Sequence, residues 1–298
     1  RIEDLDRILA DVKTDVKMQV VRNDEGSPSS GSSAVAAMVG LGLGMVLYMF
    51  LMIYGAMVMQ SVIEEKSSCV LEVVVSSVRP FELMMGKIFG VASVAVVQVL
   101  IWAVLVCGAG AAVMPHVLPD GAMEAAAALQ QGGGAATAAA GDFDPETLGA
   151  IALATDVSYL AMLFGYLLLF VVGGYLLYSA MFAAVGSAVD NAQDAAQLQT
   201  PIMIPIILAV IVEMSVLNDP NSPLAFWFSL IPFTSPVVMM ARIPYGIPTW
   251  EIVLSLVLLY AAFVGMVWLS AKIYRVGIFM YGKKPTLREM FRWIRYKY

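Results

Sequence analysis

Cysteine, histidine and charge are all scarce in this chain of 298 residues. The two cysteines, Cys69 and Cys107, stand far apart, one in a polar stretch and one in an apolar run. They imply neither a disulfide framework nor a metal site. The single histidine, His116, has no Cys or His nearby and reads as a polar residue at the end of an apolar run. No glycine-rich phosphate loop ending in Gly-Lys-Ser or Gly-Lys-Thr occurs, so the chain should not bind ATP by itself. There is no HExxH and no paired histidine, and a serine nucleophile would have only His116 to work with. Ser235, in FTSP, is more economically a capping residue in a proline-broken turn. No catalytic, cofactor-binding or metal-ligating residue is therefore assigned, and nothing points to nucleic acid.

Apolar sequence is abundant. Hydrophobic residues make up 60% of the chain and charged ones only 13%, with a mean hydropathy of +0.82. Uncharged runs long enough to cross a bilayer recur, which predicts an all-α polytopic membrane protein. Five spans are expected, at about 34–60, 88–114, 157–183, 201–217 and 252–271. Gly40 and Gly44 give the first span a small face suited to close helix approach. Gln98 is the only strongly polar interior side chain of the second, and an amide in lipid is expected to bond another helix rather than a substrate. Pro201 and Pro205 mark the start of the fourth span, after a polar connection over 186–200. Pro232 and Pro236 break the apolar stretch that follows, so 224–242 reads as a re-entrant pair of short helices. Glu213 and Arg242 are the charges that stand out here. They are expected either to pair with each other or to line an exit path, unless Glu213 reaches the headgroups and Arg242 snorkels. Gln98, Glu213 and Arg242 are the candidate pathway residues.

The stretch between the first two spans, Ser61 to Lys87, holds Glu64, Glu65, Lys66, Glu72, Arg79, Glu82 and Lys87. Glu64, Ser68, Glu72 and Ser76 recur every four residues, with Ile63, Val70, Val73 and Val74 mostly opposite. That predicts an amphipathic helix over 62–76, lying on lipid or on another protein. Pro80 then suits the first position of the next helix, with Glu82 in its positive first turn.

The remaining segments set the orientation. Residues 1–22 have helical spacing and lead into the linker NDEGSPSSGSS, so 1–33 reads as the end of a larger domain. Residues 115–156 contain six acids and no Lys or Arg, and read as a surface loop whose first part suits a helix. The tail, 272–298, carries eight of the seventeen basic residues. Thr286 and Glu289 form a capping box ahead of a basic interfacial helix, with Arg288, Phe291, Arg292, Trp293 and Arg295 as membrane-surface anchors. The positive-inside rule places the tail in the cytoplasm. Counting back through five spans puts 115–156 outside, Ser61–Lys87 inside and 1–33 outside, which implies a further span upstream.

The run IEEKSSCVLEVVVSSVRPFELMMGKIFG resembles the hallmark segment of ABC transporter permeases of the type-2 exporter kind, the NatB-like sodium-efflux branch in particular. A second matching region runs through GYLLYSAMFAAVGSAVDNAQDAAQLQTP, SPLAFWFSLIPFTSPVVMMARIP and KIYRVGIFMYGKK. The similarity covers nearly all of 34–284, with 115–156 its poorest part. Cys69 stands where such permeases often carry a basic residue, so no salt bridge is carried over there.

The resemblance implies six spans in the complete protein, with an extracytoplasmic domain after the first and a coupling helix at 62–76. That helix docks on a separate cytoplasmic ATPase subunit, which holds the ATP. It makes Glu64, Glu65, Lys66, Ser67, Val70, Glu72, Val73 and Val74 the ATPase-coupling residues. It also implies a homodimer or pseudo-symmetric heterodimer of permeases in a bacterial inner membrane, exporting sodium ions or a small hydrophobic, drug-like substrate. An intramembrane protease or lipid-modifying enzyme is the alternative, as is a non-transporting scaffold that recruits an ATPase.

Overall fold

The computed structural model describes residues 33–68, 79–118, 121–130, 145–280 and 286–293. Among them every regular element is helical. Five helices are long and apolar enough to cross a membrane.

The first, α1 (Ser33–Ser67), follows the uncharged run and then continues past it. Its 35 residues make it ~52 Å long, well beyond a hydrocarbon core of ~30 Å. No Gly or Pro follows Gly55 within it, and Glu64, Glu65 and Lys66 are good helix formers, so nothing ends the helix at the membrane edge. The expected helix over 62–76 is corrected at this point. Residues 62–67 are the last turns of α1, not the start of a separate element. Val70, Glu72, Val73 and Val74 lie outside the described residues.

Pro80 does open the next helix, α2 (Pro80–Val117), with Glu82 in its first turn. The Phe50 and Trp102 rings meet edge to face between α1 and α2, 5.3 Å between centroids. Two short helices follow, α3 (Ala122–Gln130) and α4 (Pro145–Thr155). They pack on each other through Ala122, Ala126 and Ile151. The acidic segment thus contains a small helical pair, where a loop with at most one helix was expected.

The central helix is α5 (Val157–Ala188). Asp156 caps it, accepting from the Ser158 and Tyr159 N–H groups at 2.8 and 3.2 Å. Its second half, from Phe170 on, is almost continuously buried, and it packs extensively against α1 and α9 and also against α2. The Tyr175 hydroxyl donates to Ile88 O of α2 at 2.9 Å.

After a three-residue turn, Asn191 caps α6 (Ala192–Val216) by accepting from the Asp194 N–H at 2.9 Å. Both Pro201 and Pro205 lie inside this helix, so the expected start at 201 is two turns late. Proline withholds an N–H from the carbonyl four residues back. In α6 the Thr200 hydroxyl donates to Ala196 O at 3.2 Å, and membrane helices tolerate proline in their interior.

Two eight-residue helices come next, α7 (Pro223–Leu230) and α8 (Ser235–Arg242), then a 3-10 turn, Ile243–Tyr245. At ~12 Å each they are too short to cross. Every residue of α8 is buried, so this helix fills the space between α1, α5 and α6. Ser235 is the first residue of α8 rather than its cap, which is Thr234. The Thr234 hydroxyl instead donates back to Phe228 O at 2.6 Å. The last long helix, α9 (Thr249–Gly277), runs along α5, and α10 (Leu287–Trp293) packs on its end.

Candidate functional site: the polar end of the first helix and the buried charges

Lys66 sits in the last turn of α1 and is completely buried. Its ammonium donates to Ser187 O at 2.8 Å and Gly277 O at 2.9 Å, and lies 3.0 Å from Asp190 Oδ1. The two carbonyls belong to the final turns of α5 and α9, where backbone oxygens lack helical partners and the helix dipole is negative. A cation is therefore held where three helices end. Gly277 makes the approach possible: a Cβ there would lie 2.9 Å from Ser187 O. Lys66 was expected among the charges facing a partner. The structure places it inside, between the Ser187 and Gly277 carbonyls and the Asp190 carboxylate; Gly277 O also accepts from the Met280 N–H at 3.1 Å.

Glu65 also turns inward. Its carboxylate is 2.6 Å from Lys87 Nζ, and that ammonium donates to Ser61 O at 3.0 Å. This joins α1 to α2 one turn above Lys66. Glu64 and Ser67 are exposed. The contact Glu64 makes with Gln60 is long, 3.4 Å. Of the expected coupling residues within α1, Glu64 and Ser67 face outward, while Glu65 and Lys66 tie α1 to its neighbours. Beside this end lies an open groove lined by Arg79, Pro80, Phe81, Glu82, Arg275 and Phe279.

The three candidate pathway residues do not converge. The Gln98 amide oxygen accepts from the Tyr54 hydroxyl, an interhelical bond between α2 and α1. Arg242 is 1% exposed. It donates through Nη1 to Ser229 Oγ at 2.6 Å and through Nε to Pro220 O at 2.8 Å, and it pairs with Glu251 at 2.9 Å. Ser255 adds a bond to Ser229 O at 2.7 Å. Arg242 thus pins α7, α8 and the start of α9 together. The expected pairing of Arg242 with Glu213 is corrected to Arg242 with Glu251, and a guanidinium so held does not snorkel.

Glu213 is fully buried, and neither carboxyl oxygen has a hydrogen-bond partner among the described residues. The protein encloses its side chain. It projects against Gly44 of α1, where a Cβ would lie 2.2 Å from Oε1. One turn earlier, a Cβ on Gly40 would lie 2.4 Å from Ala241 O of α8. The Gly40–Gly44 face thus admits a short helix's backbone and a carboxyl group, rather than a second long span alone.

At the tail, the Thr286 N–H donates to Glu289 Oε2 at 2.9 Å, one half of the capping box. Arg288 and Arg292 are exposed, whereas Met290 and Trp293 are buried in the main core. Trp293 is therefore corrected from a surface anchor to a packing residue: its spacing of three from Met290 puts both on the face toward α9. The Phe291 side chain and Arg295 lie outside the described residues.

Lys87, Asp190, Ser229 and Glu251 escaped the sequence reading as partners. Glu251 carried a signal, an acid in the first turn of a span. Asp190 carried one too, as a charge in a short turn between spans.

Residues 7–272 match the family model described as ABC-2 family transporter protein. The uncharacterized protein YhaP of Bacillus subtilis is 27% identical over 246 residues, covering 82% of this chain and 52% of that protein. An uncharacterized protein of Methanocaldococcus jannaschii is 27% identical over 260 residues, covering 87% and 54%. The chain thus spans about half the length of these curated relatives. No solved structure matches it.

Proposed function

The chain belongs to the ABC-2 family of transporter membrane proteins, and from that premise we propose that it is the permease of an ATP-driven exporter, moved by a separate ATPase that docks at the exposed end of α1. The observation that carries this reading is the continuity of α1. The helix runs from its uncharged half straight to Glu64 and Ser67. Just inside that surface, Lys66 bonds the ends of α5 and α9, and Glu65 bonds α2 through Lys87. A force applied at Ser67 reaches four of the five long helices through α1 and the bonds of Lys66 and Glu65. ATP would bind the partner subunit, and closing of its ATP sites would shift the spans between two arrangements.

The orientation that goes with this reading places Ser61–Lys87 and the basic tail in the cytoplasm and 115–156 outside, in a bacterial inner membrane. Residues 1–33 would close an extracytoplasmic domain, and α7 with α8 would be re-entrant. Two permease copies, identical or pseudo-symmetric, would enclose the path. The cargo would be sodium ions or a small hydrophobic substrate.

The test is copurification. The full-length protein would be co-expressed with candidate ATPase subunits and extracted in mild detergent. Wild type should retain an ATPase, and Glu64→Arg with Glu72→Arg should weaken retention by roughly tenfold or more. Glu65 is left intact because reversing it would break the Lys87 pair. Equal retention by wild type and variant would move the docking surface elsewhere; no retention by wild type would end the exporter reading.

A further inference from the structure

Among the buried charges, those of the Arg242–Glu251 and Lys66–Asp190 pairs are compensated. Glu213 is not. A carboxyl group with no hydrogen-bond partner, enclosed in a membrane helix, is costly in its charged form unless something positive joins it. Among the described residues nothing positive lies there. Between Ala34 and Met59, α1 has no charged residue. Its tyrosines are Tyr48 and Tyr54, the latter bonded to Gln98. From α5, Tyr175 and Tyr178 donate to Ile88 O and Phe233 O. Helix α7 has no charged side chain, and Arg242 of α8 is engaged by Glu251. The Ser235 and Tyr245 hydroxyls, on α8 and the turn after it, are buried without partners but carry no charge.

Room has nonetheless been made for the carboxyl. Gly44 is the residue that admits it, and a single methyl there would overlap Oε1. On its own helix Glu213 stands three residues before the end of α6 at Val216.

We propose that Glu213 is a binding site for a monovalent cation, a proton or an alkali-metal ion, seated between α6 and the glycine face of α1. A proton would bond one carboxyl oxygen and make the group neutral, whereas an alkali-metal ion would be coordinated by the carboxylate together with further oxygens; each delivers one positive charge to one acid. Loading the site removes an uncompensated charge from the interface of α1, α6 and α8, so occupancy favours the packed arrangement. The site stands on its geometry and does not depend on the exporter reading.

The experiment uses the full-length protein in detergent and reads thermal unfolding at low and high pH, in sodium chloride and in N-methyl-D-glucamine chloride of equal ionic strength. Wild type should be least stable at high pH without sodium. Restoring the ligand should raise the midpoint by about 3 °C. A rise with sodium at high pH identifies an alkali-metal site, and a rise only on lowering pH identifies a proton site. Glu213→Gln should abolish the difference. Infrared difference spectra of wild type supply a reading that needs no variant: the carbonyl band of a protonated carboxyl should appear at low pH, and Gly44→Ala should perturb it. If sodium and pH shift wild type and Glu213→Gln alike, or if no ligand-dependent carboxyl band exists in wild type, the proposal is overturned.

Discussion

At the scale of single residues, the burial of Lys66 makes the sharpest demand. Its ammonium has been stripped of water and given two carbonyls and a carboxylate in return. Replacing it with Met would remove the ammonium from Ser187 O, Gly277 O and the Asp190 carboxylate, leaving Gly277 O its bond from the Met280 N–H. Removing one member of a buried charged site is strongly destabilising. Lys66→Met is expected to lower stability by about 3 kcal/mol, read as the midpoint of thermal unfolding in detergent. Lys66→Arg should not restore it, because the planar guanidinium cannot reproduce three bonds radiating from one nitrogen. Full stability in either variant would mean that the helix ends are held by something else. Arg242 gives a parallel case. Glu251→Gln keeps the side chain's shape but removes its charge, and a loss of roughly 2 kcal/mol is expected, with the same measurement as its check.

At the scale of elements, close packing depends on small residues. A Cβ on Gly186 would sit 2.7 Å from Met59 O of α1. The obstacle is backbone, which cannot rotate aside, so α1 and α5 would have to separate. Gly186→Val is expected to cost about 3 kcal/mol or to abolish folding, judged by detergent-solubilised yield and unfolding midpoint. Gly42, with nothing within 4 Å of its added Cβ, is the control: Gly42→Ala should be tolerated.

The same scale shows what was legible beforehand. All five spans could be found from run length alone, because uncharged stretches have few other uses in a chain of this composition. Pro80 and Glu82 marked the start of α2 correctly, since they act locally. Helix ends were less legible: charged residues such as Glu64 to Lys66 are good helix formers, and nothing in their types says that α1 continues through them. Pro201 and Pro205 misled for the opposite reason, because a breaker in water is tolerated inside a packed membrane helix. The fate of Lys66 could not be read at all. Its carbonyl partners lie 121 and 211 residues away in sequence, and only the meeting of three helix ends creates the site. Glu213 was legible as an anomaly, but its lack of a partner among the described residues was not, for that depends on what α1 and α8 present to it.

At the scale of the whole molecule, the bonds of Lys66 and Glu65 group α1, α2, α5 and α9 at one end of the bundle. The Arg242 network groups α7, α8 and the start of α9. Helix α6 is bound mainly by apolar packing and by the Glu213 contact with α1. If the permease works as proposed, the clamped ends should move together when the ATPase closes. Spin labels at Ser67 and Arg275, both exposed and on α1 and α9, would report that distance in the full-length protein bound to its ATPase. Their separation should change by no more than ~2 Å between nucleotide-free and ATP-bound states, the range of helix shifts within a packed unit. The separation of Ser67 from its counterpart in the second permease should change by more. A large change within one chain, with little change between chains, would mean that the clamp opens during the cycle. Lys66 would then be a latch rather than a rigid joint, and Lys66→Met should speed ATP hydrolysis in the assembled complex rather than uncouple it.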